Sequence, residues 1–374
     1  MQLRVAISIA LIIGVPGMAF SAVQETSADT LKTGFDWDIV PLVAYLPETR
    51  WMAVLTAFLT YRDVADSSYR TSSMAVALQA TQNAQFAAGL YPEIYLDGNR
   101  IRVEGLVEWY LYPYKFFGIG NNNPSSNAEL YTPNGARLQL RALHAVSGSR
   151  VQHGLSAGLR LDLRYDDIKS VDPREDGTTG PLASGQITGA KGGWYNGVGP
   201  MVSYDTRDNN FDARNGAFCE ASVVAYGAAV GSTYTATLTT IDLRAYNEIW
   251  HGTSIAARCM AQNVAGTPTF IALPSIGGTS NLRGVIDAQQ RDRISLLVST
   301  ELRFPILWRF RGAAFVDAGH VAPTPSAFTL TGVWVGWGGG VRFVFDEKER
   351  VSLRLDVGTA RGVPQFYLSF NEAF

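Results

Sequence analysis

The sequence predicts an all-β chain: a transmembrane antiparallel β-barrel of sixteen strands. Three observations carry that reading. Apolar and polar residues alternate with period two along most of the chain, the spacing of half-buried strands. Charged residues make up 17% of the chain, below the usual quarter for soluble domains, while aromatics reach 11% and glycine occupies 37 positions. An export signal opens the chain, yet no later window holds eighteen consecutive apolar residues. An exported chain without a second apolar span is soluble in the periplasm, secreted, or a membrane barrel. The composition fits the last, which needs an outer apolar band edged by aromatics.

The signal occupies residues 1–22. Arg4 supplies positive charge, Val5 to Val15 form an apolar run, and Pro16-Gly17 break it. Ala19 and Ser21 place small residues where a signal peptidase reads. Residues 23–37 are a short N-terminal segment, with no room for a periplasmic domain before the barrel at 38–374.

Strands are expected at 38–46, 51–62, 72–82, 85–96, 100–112, 135–146, 151–166 and 194–204. The second half continues at 217–227, 234–250, 253–263, 292–304, 308–318, 329–345, 350–357 and 365–373. In Leu155 to Tyr165 the odd positions are apolar or aromatic and the even positions small or charged. Leu296, Val298, Thr300, Leu302 and Phe304 make one face of a later strand; Ser299, Glu301 and Arg303 make the other. A soluble sandwich also alternates. The even number of long strands favours a barrel, because in hydrocarbon an open sheet leaves an unpaired edge. Long links follow odd strands and shorter links mostly follow even ones, as between outer loops and periplasmic turns. Phe374 after the alternating Phe366, Leu368 and Phe370 reads as the terminal aromatic of a last strand.

Other chemistry is thin. Cys219 and Cys259 read as two isolated lipid-facing thiols with a strand between them. His144, His153, His251 and His320 lack metal-ligand spacing, and no Gly-x-Ser-x-Gly elbow occurs. His320 reads as a rim residue. Asp172, Glu175 and Asp176 beside Gly177 have the wrong spacing for a calcium loop and read as solvated acids. Gly336, Gly338, Gly339 and Gly340 lie in a strand, so they read as small lumenal residues making room for an inserted loop rather than as a phosphate loop. Net charge is −2 with no basic stripe, which argues against nucleic acid. No cofactor, metal site or catalytic residue is expected, and the chain is not read as an enzyme.

Two motifs concentrate the remaining information. Gly277-Gly278 precede Arg283-Gly284-Val285, and Phe315-Val316-Asp317-Ala318-Gly319 follow on a strand. By parity Asp317 and Glu301 face the lumen. Upstream stand Tyr204-Asp205-Thr206-Arg207-Asp208 and then Asp212-Ala213-Arg214-Asn215-Gly216. Together these resemble the BamA/TamA family of outer-membrane barrels, the bacterial surface antigen family, in a short form without polypeptide-transport-associated domains. Tyr45 to Thr49 resembles that family's first hairpin, and Phe116 to Asn121 a loop of its short members. The resemblance implies that Arg283 and Gly284 lie on the loop between strands eleven and twelve, folded inward into the lumen, where Arg283 pairs with Asp317, with Glu301 nearby. It also implies a periplasmic turn built on Asp205, Arg207, Asp208 and Gly216. A guanidinium fork suits such carboxylate pairing.

The function so implied is assistance to the insertion or translocation of proteins, or lipids, at a bacterial outer membrane. Its partners would be outer-membrane lipid and, beyond that, client outer-membrane proteins or a separate periplasmic protein. A gated or passive channel for small solutes is the alternative, for which lumenal Arg160, Asp162, Arg164, Asp242, Arg244 and Glu248 would suit a polar pore.

Overall fold

The structure, a computed structural model, describes residues 34–46, 50–62, 72–146, 150, 151, 154–347 and 350–374. The expected signal, the first eleven positions of the segment at 23–37, and His153 lie outside the described residues. Twenty strands run through the rest. β1 (Gly34–Leu46), β2 (Arg50–Arg62), β3 (Ser72–Thr81), β4 (Phe86–Leu96) and β5 (Ile101–Leu111) come first. Then follow β6 (Tyr114–Phe116), β7 (Glu129–Ala145), β8 (Gly154–Asp172), β9 (Gly192–Trp194) and β10 (Gly197–Asp205). β11 (Gly216–Tyr226), β12 (Ala236–Trp250) and β13 (Thr253–Gly266) lead into β14 (Ser275–Ile276) and β15 (Gln290–Arg291). β16 (Ile294–Leu307), β17 (Phe310–Ala322), β18 (Trp334–Asp346), β19 (Val351–Ala360) and β20 (Val363–Phe370) complete the set.

Sixteen strands are long, and each pairs antiparallel with its long neighbours in chain order. β6 and β9 extend the edges of β7 and β8, while β14 and β15 form a separate two-stranded sheet. Among the described residues β1 pairs with β2, and β20 with β19. The sheet is rolled around a lumen, because contacts leap over intervening strands. Arg141 on β7 meets Glu220 on β11, past β8 and β10. Asn121, between β5 and β7, donates to the Gly332 carbonyl beside β18 at 2.6 Å.

Period two sorts the two faces. Outward stand Leu159, Val202, Leu243, Val298, Val316 and Leu355, all exposed apolar side chains. Trp109, Trp194 and Trp337 edge that band toward the long loops, and Trp250, Trp308 and Phe310 toward the short turns. Inward, the same period puts arginines and acids two residues apart on one strand, so they pair along it. Arg160 with Asp162, Arg164 with Asp166, and Arg244 with Asp242 do so. The lumenal charges expected to suit a pore are thus largely spent on each other.

Several boundaries differ from the expected ones. β1 starts at Gly34, inside the segment assigned to 23–37. β8 runs on to Asp172 because Asp166 and Ile168 keep pairing with β7 after the hydrophobic pattern ends. The expected strand at 329–345 begins only at Trp334, since Leu330–Gly332 form a 3-10 turn. The last strand is 363–370, not 365–373. Asn371 turns through φ +56°, and the chain then leaves the sheet. Phe374 is therefore not a strand residue. Its ring packs on Ala213, Tyr246 and Ala256. Cys219 and Cys259 are free, and Leu243 of β12 pairs in register with both.

Candidate functional site: the inward loop and its wall

Between β13 and β16 the chain turns back into the lumen. Its tip, Leu282 to Val285, is buried, and Leu282 and Val285 join a cluster with Met260, Leu297, Val321, Trp334 and Ala360 from the wall. Gly278 donates its N–H to the Val285 carbonyl at 3.0 Å, closing the tip into a compact loop. Gly284 has φ +94°, and a Cβ there would collide with the Thr359 backbone, so only glycine fits.

Arg283 is the centre of the site. Its relative exposure is 1%, and Glu301 and Asp317 are at 0%. Nε donates to Asp317 Oδ2 at 2.8 Å and Nη2 to Oδ1 at 3.0 Å, a bidentate fork. The Arg283 backbone N–H also donates to Oδ2 at 3.0 Å. Nη1 pairs with Glu301 and lies 3.4 Å from Asp356 Oδ2. The guanidinium stacks over the Phe315 ring, 3.4 Å from its centroid. Gly284 donates to the Tyr367 hydroxyl at 2.8 Å, which ties the tip to β20.

The acids are held in turn. Arg303 Nε donates to Glu301 Oε1 at 2.8 Å, and Arg342 Nη1 to Asp356 Oδ1 at 2.5 Å. Arg342 Nε reaches Glu372 at 2.9 Å. Two other arginines grip loop carbonyls, Arg258 on Ser280 at 2.9 Å and Arg354 on Thr279 at 3.3 Å. A buried charge is tolerated only when paired and hydrogen-bonded, and each of these acids has at least two cationic partners or a bidentate one.

The structure thus brings Arg283, Gly284, Glu301 and Asp317 together. Sequence reading placed Arg303 on the face of Glu301 and Phe315 in the Asp317 motif without giving either a role, and it missed Asp356, Arg342 and Tyr367. Asp356 was legible from the alternation of Val351 to Val357, which turns even positions inward. Tyr367 carried no such signal. The glycine run needs correction. Only Gly336 makes room for the loop, a Cβ there overlapping the Arg283 carbonyl. Gly338 and Gly340 make room instead for the Phe315 ring and the Asp356 carboxylate, and Gly339 is on the opposite face.

The second motif forms one turn at the rim of short connections. Asp205 accepts from Arg207 Nε at 2.9 Å and Nη2 at 2.7 Å. Asp208 Oδ1 accepts from the N–H groups of Arg214 and Asn215 at 2.9 and 3.1 Å, while Arg350 Nη1 donates to Oδ2 at 2.7 Å. Burial alone would raise the Asp208 pKa; the Arg350 hydrogen bond and those two N–H groups outweigh it and hold the carboxyl below its ordinary value. Gly216 has φ +102° against the Thr206 carbonyl, a second position that requires glycine. Asp205, Arg207, Asp208 and Gly216 therefore belong to one turn, and none of the four touches Arg283. Asp212 of this turn pairs with Arg311 at 3.2 Å and Arg303 at 3.6 Å.

His320 is buried at the opposite rim, its ring 4.8 Å from that of Phe328. Among the described residues no cluster of His, Cys, Asp or Glu is able to hold a metal ion.

A rolled antiparallel sheet, an apolar outer band with aromatic edges, and an arginine-tipped loop in a charged lumen define an outer-membrane β-barrel with an inward loop. The Omp85 superfamily domain matches residues 70–345, and the chain belongs to that superfamily. No curated protein matches the chain. Among solved structures, it is similar to BamA from Haemophilus ducreyi lacking POTRA domains 1-3, at 14% identity and a TM-score of 0.59, covering 91% of this chain and 69% of that one. It is also similar to CdiB from Acinetobacter baumannii, at 14% identity and a TM-score of 0.54, covering 90% of this chain and 64% of that one. At that identity the likeness is one of fold.

Proposed function

We propose that this Omp85 barrel assists the insertion or translocation of proteins, or of lipids, at the outer membrane, and is not an open pore. The observation that carries this reading is the tip of the inward loop, buried in the lumen and held by Arg283 against Glu301 and Asp317. A barrel plugged in this way is poorly built for free diffusion. It is well built to change its wall when the loop shifts, because Glu301, Asp317 and Asp356 tie Arg283 to β16, β17 and β19. Membership of a superfamily of transport and assembly barrels rather than enzymes supports the reading. Export by residues 1–22 delivers the chain to that membrane.

The test is the folding rate of an unfolded client barrel into liposomes with and without the purified protein. Acceleration that is lost in Arg283→Ala supports the proposal. No acceleration with a fully folded protein argues against unaided assembly. The channel alternative loses its lumenal Arg160, Arg164 and Arg244 to ion pairs with Asp162, Asp166 and Asp242, and solute-driven swelling of loaded liposomes measures it.

A further inference from the structure

Resting on the reading of the inward loop as a lid, we propose that residues 117–123 are a strap forming a second, independent latch over that lid. The segment leaves the β6–β7 wall and crosses the mouth to the opposite side of the barrel. Its start is anchored by Phe116, which packs with Tyr131, Leu182 and Phe270 beneath the Arg291 guanidinium. It then grips both the lid and the far wall.

On the lid side the Gly120 N–H donates to the Arg291 carbonyl at 2.7 Å, forming an isolated antiparallel bridge with that end of the lid. The Asn123 N–H donates to Gln290 Oε1 at 2.8 Å. Gln289 Nε2 and Gln290 Nε2 return the contact by donating to the Asn123 carbonyl at 2.9 and 2.8 Å. Both glutamines are buried, Gln290 fully, so these bonds are sheltered from competing water.

On the wall side Asn121 makes three hydrogen bonds. Its Nδ2 donates to the Gly332 carbonyl at 2.6 Å, and its Oδ1 accepts from the Val321 N–H at 3.1 Å. Its carbonyl accepts from Trp334 Nε1 at 2.9 Å. The strap thus joins three parts that are remote in sequence: the β6–β7 wall, the base of the lid, and the β17–β18 rim. None of these bonds involves Arg283, Glu301 or Asp317. The Arg283 pairing fixes the tip of the lid deep in the lumen, and the strap fixes its base at the mouth. Full opening of the barrel requires the release of both, and a ligand or partner that frees only one leaves it mostly shut.

The experiment is single-channel conductance in planar bilayers for four forms: wild type, Arg283→Ala, the double variant Asn121→Ala/Gln290→Ala, and the triple variant. Two independent latches predict that each set alone raises open probability by its own factor, more than about threefold, and that the triple variant raises it by about the product of the two; no rise in the Asn121→Ala/Gln290→Ala form overturns the strap. If Arg283→Ala alone opens the barrel fully, the strap is no latch and the lid reading survives. If the folded triple variant stays closed, both the strap and the plugging lid are wrong. Heat-modifiable gel mobility identifies the folded forms. Should a variant fail to fold, wild-type hydrogen exchange decides. The Gly120 and Asn123 amides must exchange far more slowly than those of the exposed 173–179 loop, and equal rates overturn the proposal.

Discussion

Arg283 makes a bidentate fork, a second ion pair and a ring contact at once, which no other side chain reproduces. Arg283→Lys keeps the charge and loses the fork. With a buried pair broken at one partner, about 3 kcal/mol of local stability is lost, roughly a hundredfold in exchange protection. The Gly284 amide, which donates to Tyr367, is the reporter, and an unchanged rate would refute the assignment. Gly336→Val tests the same contact from the wall. Valine suits a strand, yet its Cβ overlaps the Arg283 carbonyl. The expected outcome is loss of protection at Gly284 with β18 amides still protected. How far this site was readable follows from parity. The lumenal positions of Glu301 and Asp317 follow from alternation on their own strands. Tyr367 and Phe315 are set by where the loop comes to rest, a tertiary fact that local pattern does not encode.

At the scale of elements, the 206–215 turn behaves as a unit built on Asp208. That carboxyl has a depressed pKa in the folded state, so its contribution is present above the unfolded value and is lost as pH falls through the folded one. The window lies below about pH 4, the ordinary aspartate value. Protection of the Arg214 and Asn215 amides, corrected for intrinsic exchange, is expected to fall across that window. Asp208→Asn should remove the pH dependence; a pH profile identical in both forms would contradict this. Strand positions were legible because period two persists over ten or more residues in most strands. Their ends were not. Where β8 continues to Asp172 the ladder outruns the hydrophobic pattern, and where Phe374 turns inward a pocket between Tyr246 and Ala256 overrides the strand habit.

For the whole molecule, the outer face is the surface that meets lipid. A charge costs most at mid-depth, so Leu243→Arg near the centre of β12 should destabilise by about 2–4 kcal/mol and Trp250→Arg at its end by about 0–1 kcal/mol. Urea unfolding in liposomes measures the two, and equal costs would argue against the placement of the band. The curl of the sheet around the lumen was not readable from composition. It depends on pairings such as Arg141 with Glu220, which join strands that the sequence separates by 79 positions.

The central claim is that Arg283 holds the tip of the lid against the barrel wall. It is tested most directly by the distance between spin labels at Ser280→Cys on the lid and Val298→Cys on β16, with Cys219 and Cys259 replaced by serine. The account predicts one narrow distance distribution, which Arg283→Ala broadens. A broad distribution in the Arg283 form, or a narrow one that Arg283→Ala leaves untouched, would contradict it.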